Sequence, residues 1–167
     1  MESALKQEDR SRAVTDDEPK IAALVCTYCT YTAADMAGSM RLTYPPSVRV
    51  VKYLCTGKVD VLHILQAFEA GADAVMVSGC EVGDCHFLEG NLRARERVEY
   101  TKSLLEEIGL EPDRLEMFHI GASDAPQWVE AVRMMTERAR RLGPNPLRRK
   151  TSGDDDDRGT TEAAGRD

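Results

Sequence analysis

The sequence is short of the features that would suit a membrane, a nucleic acid or a nucleotide. No apolar stretch approaches the roughly 18 residues of a spanning helix, so none is expected. The first residues lack the apolar core of a secretory signal, which predicts a cytoplasmic setting. Acidic side chains outnumber basic ones by 29 to 22, and a net charge of −7 comes with no strongly basic face for nucleic acid. A G-x-G-x-x-G turn after the first predicted strand, a Walker loop and a Ser/His/Asp order are all missing, so no motif supports a nucleotide cofactor. No segment repeats.

What the chain does have is five cysteines in three places: Cys26 with Cys29, Cys55, and Cys80 with Cys85. A cytoplasmic chain rarely concentrates thiols unless they hold a metal or form a redox pair. The length of 167 residues suits one α/β domain with tails. Residues 1–20 and 148–167 are polar and charged, with four consecutive aspartates from Asp154 to Asp157. Such segments bury too little apolar surface to offset the entropy of ordering, so both are expected to be disordered tails flanking a domain over 21–147.

Within that domain, strand and helix signals alternate four times. Ile21 to Cys26 is a continuous apolar run, as expected of a strand covered on both faces. Thr32 with Asp35 predicts a capping box and a short helix through Met40, and Pro45-Pro46 forces an extended stretch after it. Val48 to Leu54 reads as the second strand. Asp60 is placed to cap a helix to Ala70 with a stripe of Val61, Leu62, Leu65 and Phe68, and Gly71 stops it.

Ala74 to Ser78 is the third predicted strand, followed by a long turn from Gly79 to Gly90. A charged helix over Asn91 to Ile108 keeps Val98, Thr101, Leu105 and Ile108 in one stripe, and Gly109 and Pro112 end it. Leu115 to Ile120 gives the fourth strand. Ser123 or Asp124 caps a last helix whose stripe is Trp128, Val132, Met135, Ala139 and Leu142, closed by Gly143-Pro144. Repeated strand–helix–strand units imply parallel pairing. The expected fold is a small three-layer α/β domain, flavodoxin-like or Rossmann-like, with a four-stranded parallel sheet.

That fold has a geometric consequence for the thiols. Cys26 ends the first strand, while Cys55 and Cys80 follow the ends of the second and third. A strand order of 2-1-3-4 would bring all three cysteine loops together at the carboxyl edge, where open α/β sheets bind their ligands. A Cys-x-x-Cys pair serves zinc, iron–sulfur clusters and dithiol redox alike. The added Cys80-x4-Cys85 spacing also occurs, with a C-x2-C, in the ligand set of plant-type [2Fe–2S] ferredoxins. Gly57, Gly79 and Gly83 flank these cysteines, where their N–H groups are free to point at sulfur, or where they simply permit tight turns.

Zinc remains the structural competitor, with Cys26, Cys29, Cys80 and either Cys85 or His86 as a tetrahedral set. A thioredoxin-like dithiol at a helix start is the third reading, although it leaves three further cysteines without a task. His86 is a candidate hydrogen-bonding neighbour or alternative ligand, whereas His63 and His119 read as packing residues. Arg93, Arg95 and Arg97 read as part of a solvated charged face.

Several segments, in order, carry a family resemblance: Cys26-Thr27-Tyr28-Cys29, Arg41-Leu42-x-Tyr44-Pro45-Pro46, Cys55-Thr56-Gly57-Lys58-Val59-Asp60 and Gly79-Cys80-x-x-Gly83-Asp84-Cys85-His86. Gly90-Asn91, Leu104 to Gly109, Ser123 and Leu142-Gly143-Pro144-Asn145 continue it. Together they resemble the delta subunit family of methyl-viologen-reducing hydrogenase over roughly Ile21 to Asn145. The resemblance implies a [2Fe–2S] protein with no catalytic site of its own, its ligands drawn from Cys26, Cys29, Cys55, Cys80 and Cys85. It also implies partners: a hydrogenase or formate dehydrogenase module, and the flavin-containing A-type flavoprotein of heterodisulfide reductase in an electron-bifurcating complex. The family often has Asn-Trp where this chain has Thr27-Tyr28, and His-Pro where it has Glu81-Val82, which removes one possible ligand or donor. The alternative to this function is a zinc-stabilised interaction module without a redox role.

Overall fold

The computed structural model describes residues 18–148 and contains four strands and four longer helices among them. In chain order these are β1 (Ile21–Cys26), α1 (Thr30–Ser39), β2 (Val48–Tyr53), α2 (Val61–Glu69), β3 (Ala74–Gly79), α3 (Gly90–Glu107), β4 (Leu115–His119) and α4 (Ala125–Leu142). The expected tails fall outside the described residues apart from Glu18, Pro19, Lys20 and Arg148. No described helix is long and apolar enough to cross a membrane.

All four strands run parallel in the order β2-β1-β3-β4. The two central strands are the apolar runs: β3 is buried throughout, and β1 nearly so. That is the pattern of strands with a helix layer on each side. On one face Ile21, Ala23 and Val25 pack with Ala33 and Ala37 of α1 and with Trp128, Val132 and Met135 of α4. On the other, Leu24, Val75 and Val77 meet Ile64 and Phe68 of α2 and Val98 and Leu105 of α3. The result is the three-layer α/β arrangement anticipated from the pattern.

Several local expectations are corrected. Thr32 does not open α1; the helix begins at Thr30 with Cys29 as its cap, and the Thr32 hydroxyl donates back to the Tyr28 carbonyl at 3.1 Å. Leu62 faces solvent at 66% exposure while Ile64 is fully buried, so the inner stripe of α2 is Ile64 and Phe68. Ile108 is likewise 63% exposed, because α3 ends one residue earlier and the chain turns away. His63 is not a packing residue: it is exposed, and its Nδ1 accepts the Asp60 N–H at 2.9 Å, capping α2.

The amino-terminal edge of the sheet is tied by buried polar groups. The Asp73 carboxylate accepts the N–H of Lys20 at 2.7 Å and that of Asn145 at 2.8 Å. The Asn145 amide in turn donates to the carbonyls of Phe68 and Ala72, joining the segment after α4 to the α2–β3 turn. Arg114, only 1% exposed, donates to the Glu111 carboxylate and to the carbonyls of Asp73, Leu142 and Gly143. A buried guanidinium is tolerated when its donors are met in this way.

Glu116 of β4 links the two helix layers, bonding Lys102 of α3 at 3.1 Å and Arg138 of α4 at 2.9 Å. Burial pushes its carboxyl up, but the hydrogen bonds from Arg138 and Lys102 outweigh this and hold it below the usual value. The stabilisation is therefore present above the ordinary carboxylate pKa and is lost as pH falls through the lowered one. Glu116→Gln is expected to cost about 1–2 kcal/mol near neutral pH. The difference from wild type should vanish in acid, as urea denaturation at both pH values would reveal.

Candidate metal centre

The carboxyl ends of the strands set where the thiols lie. Cys26 pairs with Tyr53 at the end of β1, and Gly79 pairs with His119 at the end of β3. The chain therefore leaves β1, β2 and β3 at one level, and each exit carries a cysteine within two residues. Beyond Cys26, both the N–H and the hydroxyl of Thr27 donate to the Tyr53 carbonyl, keeping the first two exits side by side. Thr30 opens α1 with its hydroxyl 3.0 Å from that of Ser78, which sets Cys29 over the end of β3.

Small residues then let the loops touch. A methyl group on Gly79 would come 2.6 Å from the Thr56 hydroxyl, and one on Gly57 would come 2.8 Å from the Gly90 Cα. Gly90 is the tightest of the three, since a Cβ there would overlap the Cys55 sulfur and sit 3.3 Å from that of Cys85. Gly83 has a different role: its φ of +96° is the left-handed conformation that glycine adopts at little cost, and it turns the loop toward Cys85.

Three polar side chains hold the loops in place. Asn91, fully buried at the start of α3, donates its amide to the carbonyls of Cys80 and Glu81 at 3.0 and 2.8 Å. Arg97, one turn and a half further on, donates to the carbonyls of Gly57 and Val59 at 2.7 and 2.9 Å. His119 places Nδ1 2.9 Å from the Cys80 carbonyl. Sequence reasoning misses these three: polar residues carry no periodicity signal, and Arg97 is corrected from the solvated face to a loop clamp. A glycine followed by an asparagine at the start of a charged helix is the one available hint.

The structure brings all five predicted cysteines into one cluster, with Cys26, Cys55, Cys80 and Cys85 buried and Cys29 packed against them. Every sulfur is a free thiol. Cys26, Cys29 and Cys80 have their sulfurs within 4.8 Å of one another, and the sulfurs of Cys55 and Cys85 both lie against Gly90. Desolvation by burial, followed by contacts with neighbouring sulfurs, pushes Cys80 strongly upward. Cys29 and Cys55 are also raised, chiefly by burial.

Cys85 moves the other way. Burial raises it, but N–H groups of Phe87, Asn91 and Gly90 donate to its sulfur and bring the balance below the ordinary thiol. Two of those donors belong to the first turn of α3, whose amino end favours negative charge. Cys55 receives a comparable bond from the Gly57 N–H at 3.4 Å.

An aromatic rim surrounds the sulfurs on the solvent side. Tyr28 stacks on His86 with ring centres 4.4 Å apart, and Phe87 meets both rings edge-on. His86 thus joins the Cys26–Cys29 loop to the Cys80–Cys85 loop. Leu54, Val82 and Leu88 are exposed on the same loops, and Leu88 is 84% exposed with a φ of +64°. A leucine in that strained conformation, held out to solvent, points to a functional surface.

A donor set made entirely of sulfur, four of its five cysteines buried, is soft. It suits iron–sulfur clusters, zinc or Cu(I), and is a poor fit for magnesium or calcium. Fold and site together define a small parallel α/β domain that gathers five thiols at the carboxyl edge of its sheet. The chain belongs to the family of the methyl-viologen-reducing hydrogenase delta subunit, whose model matches residues 21–143. It is similar to the vhu iron-sulfur subunit of the F420-non-reducing hydrogenase of Methanococcus maripaludis, 48% identical over 131 residues, or 78% of this chain and 98% of that protein. The counterpart from Methanocaldococcus jannaschii is 49% identical over the same shares. The A-type component of the ferredoxin/F(420)H(2)-dependent CoB-CoM heterodisulfide reductase of Methanosarcina acetivorans is 33% identical over 143 residues, 86% of this chain but 18% of that protein.

The contact of Gly90 with two sulfurs can be tested directly. Alanine at a helix start is ordinarily well tolerated. Gly90→Ala is therefore expected to keep its helix content by circular dichroism while losing most of its bound metal by elemental analysis. Unchanged metal content would show that the Cys55 and Cys85 sulfurs do not crowd this position.

Proposed function

We propose that this chain is a [2Fe–2S] electron-transfer subunit of an oxidoreductase complex, with no catalytic site of its own. The observation that carries the reading is the five-sulfur cluster at the sheet edge, beneath an exposed aromatic rim. A [2Fe–2S] cluster held there supplies one-electron redox chemistry, which belongs to the cofactor. The chain's own residues do the rest. Cys26, Cys29, Cys55, Cys80 and Cys85 are the pool of ligands. N–H groups of Gly57 and Gly90 steady the charge on sulfur, Gly79 and Gly83 shape the loops, and His86 braces them through Tyr28.

Relatives named as hydrogenase iron-sulfur subunits support a hydrogenase module as electron donor; a formate dehydrogenase module is the second candidate donor. Two heterodisulfide reductase components of the A type contain a segment like this chain, and this supports that flavoprotein type as acceptor, since parts fused in one protein commonly meet as separate chains in another. The assembly would be of the electron-bifurcating kind and would work in the cytoplasm, where thiols stay reduced until a metal takes them. The apolar rim of Tyr28, Leu54, Val82, Phe87 and Leu88 suits such a docked partner.

Protein purified without oxygen is expected to be brown, to contain about two irons per chain and to bleach with dithionite. A colourless protein carrying zinc would replace this reading with a zinc-stabilised interaction module.

A further inference from the structure

Arg97 is set apart by what it bonds. Its Nη1 donates to the carbonyls of Gly57 at 2.7 Å and Val59 at 2.9 Å. Elsewhere in the fold, inward-turned cations meet carboxylates: Arg114 bonds Glu111 at 2.7 Å, and Lys102 and Arg138 bond Glu116. Among the described residues the Arg97 side chain donates to neutral carbonyls alone. Carbonyls orient a guanidinium but leave its positive charge uncancelled. Glu89 and Glu96 share a surface hollow with it, but both are exposed, and Glu89 bonds Arg93.

Gly57 connects that charge to the sulfurs. Its carbonyl accepts from Arg97, while its N–H donates to the Cys55 sulfur at 3.4 Å. It lies against Gly90, which in turn borders the sulfurs of Cys55 and Cys85. Arg97 follows Gly90 by two helical turns, about 10 Å along the axis. Its side chain leans back toward the amino end of α3, as helix side chains do, and so reaches the Cys55 loop.

We propose that Arg97 is a positioning residue for the redox centre: it fixes the Cys55 loop against α3, and its charge raises the reduction potential of the cluster. A [2Fe–2S] cluster gains one negative charge on reduction, and a half-buried cation is screened less by water than an exposed one. The reduced state is therefore stabilised more than the oxidised state. The inference rests on the reading of this site as a [2Fe–2S] centre.

The test compares full-length wild type with Arg97→Gln, Arg97→Lys and Arg93→Gln, all prepared without oxygen. Iron per chain, the electron paramagnetic resonance signal after dithionite, and the midpoint potential are the readouts. Arg97→Gln retains an N–H donor without the charge. It should keep wild-type iron and signal but show a lower potential, with the reduced-to-oxidised ratio changed on the order of tenfold, or about 59 mV for one electron. Arg97→Lys keeps the charge while losing the planar fork, and should stay close to wild type. Arg93, 67% exposed and paired with Glu89, is the control, and its replacement should leave the potential in place. Circular dichroism on each variant follows the fold.

An unshifted potential in Arg97→Gln overturns the proposal, as does an equal fall in Arg97→Lys or in Arg93→Gln. Loss of iron or of fold in Arg97→Gln also overturns it, because the side chain would then secure the loop without setting the potential. Wild-type protein without iron overturns the cluster reading itself, and is distinguished from the other failures by occurring before any substitution is made.

Discussion

Crowding of sulfur is the constraint on which the rest of this structure depends. Five thiols meet at one sheet edge, and each that ionises makes ionisation of the next more difficult. Burial adds to the penalty, because the thiolate is the form that water stabilises most. Positive charge brought into the cluster relieves both effects at once, and metal binding then releases the protons. The surrounding architecture reads as provision for that event. Three glycines remove the side chains that would hold the loops apart, and Asn91 and Arg97 pull two of the loops onto α3. Backbone N–H groups meet Cys85 at the helix's amino end.

Much of this was legible in the residues. The apolar runs of β1 and β3 announced strands covered on both faces, and their alternation with helices implied the parallel sheet. Strand order is not readable from the residues directly, but the 2-1-3-4 order that would gather the cysteine loops is the order observed. Periodicity failed where its assumptions did. On α2 the expected stripe included Leu62, yet the helix rotates to bury Ile64, since a nine-residue helix with several apolar positions does not fix its own inner face. On α1 the Thr32 signal was outcompeted by the Thr30–Ser78 bond, a contact between residues distant in sequence.

The residues that hold the site together were the least legible. Gly90, Asn91 and Arg97 lie on a helix that reads as charged and solvated, and their work is done on carbonyls and sulfurs of other loops. Those acceptors are identifiable only once the loops have been brought together. His63 shows the same limit at shorter range: its ring caps α2 through the Asp60 N–H, and no apolar pattern marks that role.

The two edges of the sheet divide the labour between persistence and chemistry. At the amino edge, Asp73, Arg114 and Asn145 clasp the chain with buried hydrogen bonds. At the carboxyl edge, the thiols and the aromatic rim sit on loops whose shape is set by glycine and by a few carbonyl contacts. Because the two lie a full strand length apart, substitutions in the rim have little leverage on the clasp. Loops of this kind are free to drift, altering which surface is recognised and how readily electrons are held, while the scaffold beneath them stays folded. Such a domain is a robust socket, able to diversify at one end without being renegotiated at the other.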